Sequence, residues 1–337
     1  MERHTLVARL DSAGDVLLAG PAVRAVAASS RVTFMCGGRG RAAADLLPGV
    51  TEVIEWTSPW VDPEPQPVDA ADVDVLRKTL ADLRLDDAVI LTSFHQSPLP
   101  LALLLRLAGV PKITAISDDY PGTLLDVRHP ATPGIPEAVR SLSVAEAAGY
   151  RLPAGDDGRL AIRRPLPDVT HLIGEKPYVV VHPGTSVPAR AWAPAHHSRL
   201  VHLLRDEGFR VVVTGSDSET TLTSAVANDA ALDLGGRTSF AELAAVLAGA
   251  MVVVVGNTGP AHLAAAVGTP VVSLFAPTVP ASQWAPYGTR SIVLGDMEVA
   301  CRDSRALVCP VPGHPCINSV SPAEVLQAVC GLLRVSA

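Results

Sequence analysis

Two stretches in the second half of this 337-residue chain carry polar and basic residues where an apolar run breaks into a turn. Val179 to Arg190 (VVVHPGTSVPAR) holds His182, Gly184, Thr185 and Arg190. Val252 to Phe275 (VVVVGNTGPAHLAAAVGTPVVSLF) holds Asn257, Thr258, Gly259, Pro260 and His262. In the second stretch Thr258 and Gly259 fit a helix cap and Pro260 the first helical position, where a missing N–H costs nothing. Gly268 fits the residue just past the helix end. The free N–H groups of that first turn, with the helix dipole behind them, suit a phosphate. Arg190, on a second strand-end loop, could bring a fixed positive charge to the same anion. The simplest ligand is a diphosphate. Strand–glycine–helix junctions also arise from packing alone, so either stretch by itself is compatible with a purely structural role.

Acidic residues at other strand ends have two readings each. Asp15 follows the first strand across the turn Ser12-Ala13-Gly14. It can complement a helix dipole, or it can act as a general base. Glu219, in TGSDSE, can bond a nucleotide ribose or close a capping box with Ser216. His182 and His262 flank the two turns and could equally satisfy buried backbone. In the first half, Ser93-Phe94-His95-Gln96-Ser97 follows a strand. Arg128 lies with Asp118, Asp119 and Tyr120 in the long loop after the next one. His95 and Arg128 are the acceptor-binding candidates, although ordinary surface loops have the same composition.

The elements that must position these residues follow from periodicity. Apolar runs at 5–10, 31–35, 51–55, 88–92 and 112–116 alternate with helical patterns at 16–28, 41–47, 73–83 and 99–108. Repeated strand–helix alternation implies an α/β fold with a parallel sheet. Pro21, inside the first helical pattern, predicts a kink or a split helix. The Pro-rich stretch from Arg163 to Pro177 separates this alternation from a second one at 178–182, 211–214, 232–234, 251–255 and 271–275. Two Rossmann-like domains are expected, residues 1–165 and 166–337. Neither first turn carries G-x-G-x-x-G.

Together these pieces resemble a known family. SAGDVLLAGPAV, HPGT followed by RAW, TGSDSE, GNTGPAHLAAAVGTPVVSLFAPT and CPVPGHPCINSVSPAEV are similar, in order and over nearly the whole chain, to the inverting lipopolysaccharide-type heptosyltransferases of glycosyltransferase family 9. The resemblance implies the GT-B architecture, two Rossmann-like domains with parallel sheets facing across a cleft. It also implies an acceptor-binding first domain, a nucleotide-sugar-binding second domain, and a last helix (322–333) packed back onto the first. It implies transfer of heptose or a related sugar from an ADP-linked donor to a sugar, glycolipid or small-molecule acceptor. Asp15 would be the base, Arg190 and the turn at Thr258 the diphosphate contacts, and Glu219 the ribose contact. Where many relatives carry Asp, this chain has Asn257, which leaves the identity of the donor sugar open.

Composition bounds the alternatives. A net charge of −7 with no basic tract argues against a nucleic-acid partner. No run approaches a membrane-spanning length, and the signal-like start is interrupted by Asp11, Gly14 and Asp15, so a cytoplasmic protein is expected, with peripheral membrane contact if the acceptor is a lipid. Cys301, Cys309 and Cys316 around His314 allow a zinc site to be drawn, but their spacing is looser than in structural zinc motifs; no metal and no cofactor is expected. Two other functions stay open, a sugar-nucleotide epimerase of the same fold and a non-catalytic nucleotide-sugar-binding protein.

Overall fold

The structure is a computed structural model that describes residues 2–93, 95–174 and 176–334. Phe94, in the candidate acceptor stretch, and Glu175, in the Pro-rich stretch between the halves, lie outside the described residues. The chain forms two compact units, Met1–Arg163 and Arg164–Ala337.

The first unit is built on strands β1 (His4–Arg9), β2 (Arg31–Cys36), β3 (Val50–Glu55), β4 (Asp87–Leu91), β5 (Ile113–Ile116) and β6 (Val127–His129). They form one parallel sheet in the order β3-β2-β1-β4-β5-β6. The second unit uses β7 (Val179–His182), β8 (Val211–Val213), β9 (Leu232–Asp233), β10 (Val253–Gly256), β11 (Val271–Leu274) and β12 (Ser291–Leu294). Its parallel sheet runs β12-β11-β10-β7-β8-β9. Helices connect the strands, and Leu6, Val7 and Ala8 of β1 and Val179, Val180 and Val181 of β7 are fully buried. Both faces of such strands are covered, so their sequences read as continuous rather than alternating apolar runs.

Local chemistry explains most element ends. The first helical pattern splits into Ala13–Leu18 and Gly20–Ala27, with Pro21 in the opening turn of the second piece, where its ring and missing N–H are tolerated. The helix Gly259–Val267 ends at Gly268, which takes the left-handed conformation at φ 86°. Two elements depart from the sequence reading. The segment after β5, read as one long loop, contains β6, a three-residue edge strand too short to show a period. It is followed by the helix Glu137–Ala147, which the apolar pattern did not mark. The resemblance also implies that the last helix packs on the first domain. Val325, Val329 and Leu332 of that helix (Pro322–Arg334) are buried in the second unit's core, with Leu200 and Leu204 of Pro194–Asp206 and Val272 and Leu274 of β11.

The far end of the first sheet is tied by a buried polar network. Tyr150 lies just past the helix Glu137–Ala147, and its hydroxyl meets Thr5 Oγ1 at 2.7 Å and Asp87 Oδ2 at 3.0 Å. Asp87 is fully buried and also takes Arg3 Nη2 at 2.9 Å. Burial pushes the Asp87 carboxyl above its ordinary range, against the opposing pull of Lys112, the Tyr150 hydroxyl and Arg3. Removing one donor from a buried carboxylate costs its desolvation without compensation. Tyr150→Phe should therefore destabilise the protein by about 1–3 kcal/mol in urea unfolding. A change within about 0.5 kcal/mol, the range of ordinary surface substitutions, would show that the network carries no stability.

Candidate functional site

In an open parallel sheet, ligands bind beyond the carboxyl ends of the strands, where neighbouring connections leave in opposite directions. In the first unit that point lies between β1 and β4. Arg9, the last residue of β1, is fully buried there. Its Nε lies 2.8 Å from Asp11 Oδ2, its Nη2 3.0 Å from Asp15 Oδ1, and its Nη1 3.5 Å from Glu137 Oε2. Nη2 also donates to Ser93 Oγ at 3.0 Å, just past β4. Burial by itself would lower the Arg9 pKa; the three carboxylates outweigh it and hold the guanidinium charged, above its ordinary range.

Asp15 sits in the first turn of Ala13–Leu18. Its Oδ2 accepts from Ser12 Oγ at 2.7 Å and from the Ser12 backbone N–H at 3.3 Å, so it closes the N-terminal cap of that helix. The cap and Arg9 fix the direction of a carboxylate that remains partly exposed, at 16%. Asp11 is held by Gln96 Nε2 as well as by Arg9. Burial pushes the Asp11 carboxyl up to about 6, against the pull of Arg9 and with a further push from Asp15.

The two acceptor candidates come to the same rim. His95, exposed, lines a recess of about 140 Å³ with Gln96, Ser97, Ser117, Asp118 and Asp119. Arg128, in β6, donates from Nε to Ser117 O at 2.8 Å and from Nη2 to Asp118 O at 2.7 Å. It thereby staples the same loop and borders a second recess of about 350 Å³ with Ser117, Asp118, Pro130 and Ala131. Gln96 joins the first recess to Asp11.

In the second unit the corresponding point lies between β7 and β10. Thr258 caps the helix Gly259–Val267 without a side-chain hydrogen bond, Pro260 follows in the first turn, and His262 is buried one residue further into the helix than Ala261. Among the described residues, Asn257 Nδ2 and Thr258 Oγ1 are buried polar atoms with no hydrogen-bond partner. Such atoms are rare in folded proteins, and two of them adjoin one helix N-terminus here. Arg190 reaches this point from the loop after β7, its Nη1 3.4 Å from the carbonyl oxygen of Asn257.

That loop is pinned from behind. Trp192 is buried and donates from Nε1 to Val320 O at 3.1 Å. Ala189 N donates to Leu307 O at 2.9 Å, and His314 Nε2 lies 2.9 Å from Ala189 O. The Cys-containing loop is therefore a brace for the Arg190 turn. No group of three or more His, Cys, Asp or Glu among the described residues is placed so that it could hold a metal ion. Cys309 donates instead to Val311 O.

Nearer β7, His182 is buried with Nδ1 2.9 Å from Thr214 Oγ1. Burial pushes its pKa below the ordinary imidazole range, with Glu219 pulling the other way. Thr185 Oγ1 accepts from Val187 N at 3.2 Å and shapes the turn. Glu219 Oε2 accepts from Ser216 N at 2.8 Å and Ser216 Oγ at 2.9 Å, which is the capping-box alternative. A Cβ at Gly184 would overlap the same carboxylate as it now stands, so the turn after β7 lies directly against Glu219.

A family-wide sequence profile described as glycosyltransferase family 9 (heptosyltransferase) matches residues 83–313. The chain belongs to glycosyltransferase family 9. The matched stretch includes the whole second-unit cradle, whereas Asp15 precedes it. Among solved structures, the fold is similar to the Escherichia coli ADP-heptose LPS heptosyltransferase II, at 21% identity over 99% of both chains with a TM-score of 0.75. It is similar also to E. coli heptosyltransferase WaaC with ADP, at 21% identity over 98% of this chain and 99% of that one, TM-score 0.72. The iron-containing dodecameric E. coli glycosyltransferase TibC matches at 15% identity over all of this chain and 77% of its own, TM-score 0.59. A search of curated proteins gives no match. These likenesses place the chain in the GT-B fold, and its family makes it a glycosyltransferase. No helix among the described residues is long and apolar enough to cross a membrane.

The sequence singled out none of Arg9, Glu137, Arg140 and His197. Of these only Arg9 left a trace, a basic residue ending an otherwise apolar strand two positions before Asp11. His197 lies behind the Arg190 loop, edge-on to Trp192 with ring centroids 4.8 Å apart. Burial, followed by the charges of His182 and His196, pushes its pKa down to about 3. The unfolded chain binds this proton near pH 6.5 and the folded chain does not. The stability due to neutral His197 is thus present above pH 6.5 and is lost as pH falls toward 3. Urea unfolding of the native protein should lose roughly 1.5–2 kcal/mol between pH 6.5 and 5 that His197→Phe does not lose. Equal slopes in the two proteins would contradict a buried neutral imidazole.

Proposed function

We propose that the chain is an inverting, metal-independent transferase that moves heptose from ADP-heptose to an acceptor hydroxyl. The observation that carries the donor half is the pair of partnerless buried atoms, Asn257 Nδ2 and Thr258 Oγ1, beside Arg190 at the start of Gly259–Val267. A diphosphate would satisfy the first-turn N–H groups, the Thr258 hydroxyl and Arg190 together. Gly184, Thr185, His182 and His262 line the approach, and Glu219 turns its capped carboxylate toward a ribose. The names of the similar structures, an ADP-heptose enzyme and a heptosyltransferase with ADP, support the choice of donor. Asn257 meets the donor with an uncharged amide that can both donate and accept.

In this reading Asp15 takes the proton of the acceptor hydroxyl as that oxygen attacks the anomeric carbon from the face opposite the diphosphate, which inverts the centre. The departing nucleoside diphosphate gathers negative charge, and the helix N-terminus and Arg190 answer it in place of a cation. His95 and Arg128 border the recesses for a sugar, glycolipid or small-molecule acceptor. The reaction is placed in the cytoplasm, with peripheral membrane contact if the acceptor is a glycolipid.

Two variants separate the halves of the site. Asp15→Asn should lower kcat for heptose transfer by about 10²–10⁴-fold, the usual range for a general base, while calorimetry finds ADP affinity within about threefold of native. Lost ADP affinity with retained turnover would make Asp15 a binding or capping group only. Arg190→Ala should weaken ADP binding about 10- to 100-fold and lower turnover, as expected for one charge-assisted contact. Chelator should leave the native enzyme active; activity that vanishes with chelator and returns with Mg²⁺ would assign the leaving-group charge to a cation.

A further inference from the structure

The proposed mechanism gives Arg9 and Asp11 no part, yet they form the most buried ionic cluster of the first unit. Three carboxylates face two guanidinium groups there. Arg9 touches Asp11, Asp15 and Glu137, and Arg140 Nη1 lies 3.4 Å from the same Glu137 Oε2. Arg140 also donates to Thr92 O, and Glu137 is fully buried. With all five ionised, one negative charge remains uncompensated. A proton gained by the cluster balances it.

Asp15 alone on Arg9 would be a poor base. A guanidinium at 3.0 Å stabilises the ionised carboxylate and opposes its protonation. Asp11 occupies Nε of the same guanidinium and weakens that hold, both by neutralising Arg9 and by direct repulsion of Asp15. We propose that Asp11 is a positioning residue that shares Arg9 with Asp15 and so makes Asp15 readier to take the acceptor's proton.

The inference rests on the reading of Asp15 as the base. Asp11 is suited to the part because it is held rigidly, by Gln96 on one oxygen and Arg9 on the other. The charged groups that face it are Arg9, Asp15 and Glu137; Gln96 and Ser93 face it as hydrogen-bonding groups. The two acids share one guanidinium, Asp11 on Nε and Asp15 on Nη2, and the repulsion between them acts equally on both partners. Linked carboxylates release protons in two steps that belong to the pair.

The test is a carboxyl ¹³C NMR titration of the full chain labelled at aspartate, from pH 3 to 8, in the native protein, Asp11→Asn, Glu137→Gln and Asp15→Asn. The native pair should titrate in two linked steps, the upper near pH 6. In Asp11→Asn the Asp15 signal should move to lower pH than in the native protein, by about a tenfold loss of proton affinity. Glu137→Gln keeps Asp11 in place and also relieves Arg9 of a carboxylate, so it should move the Asp15 signal in the same direction. An Asp15 signal that titrates as in the native protein in both variants would overturn the proposal and leave Asp11 a structural ion-pair partner. ADP release from ADP-heptose by Asp15→Asn separates this from the reading beneath it. Retained turnover there removes Asp15 as base, whereas lost turnover with an unshifted titration removes only the part given to Asp11.

Discussion

A parallel sheet covered on both faces leaves polar chemistry almost nowhere to go except the ends of its strands. The strand interiors are largely apolar on both sides, so an unpaired charged group inside one would be buried without solvent. Both units obey this constraint in the same way. Each has a group of buried polar side chains where two central strands stand side by side and their connections diverge, β1 beside β4 and β7 beside β10. The first unit meets the constraint with a compensated ionic cluster. The second meets it with backbone N–H groups and two buried side-chain atoms that a ligand could satisfy.

The difference between the two solutions fits the chemistry proposed for each. A proton acceptor needs a carboxylate whose direction and charge are set by fixed neighbours, and Asp15 has Ser12 on one oxygen and Arg9 on the other. A diphosphate needs donors already aimed and already desolvated, because donors that must rearrange during the reaction contribute less. The Arg190 turn is held by Trp192, Leu307 and His314 in addition to its own turn hydrogen bonds. That gives the Cys-containing loop a role its cysteines do not reveal.

How much of this the sequence shows depends on how local the signal is. The helix at Gly259–Val267 was legible because its cap, its proline and its terminal glycine lie within one short stretch and each has a separate steric reason. The Ser12–Asp15 turn and the Ser216–Glu219 box were legible for the same reason. Arg9, Glu137 and Arg140 were not, because a buried ionic cluster is made by residues from β1, a distant helix and the loop after β4, and no spacing announces it. β6 escaped because three residues carry no period.

The account depends most on the start of Gly259–Val267 being the diphosphate site. Amide NMR of the full chain titrated with ADP tests this directly. The account predicts the largest shifts at Gly184, Thr185, Thr258, Gly259 and Ala261, with the sheet of the first unit unchanged. ADP-induced shifts confined to Ser117–Ala131, with the amides of Thr258 to Ala261 unmoved, would contradict it.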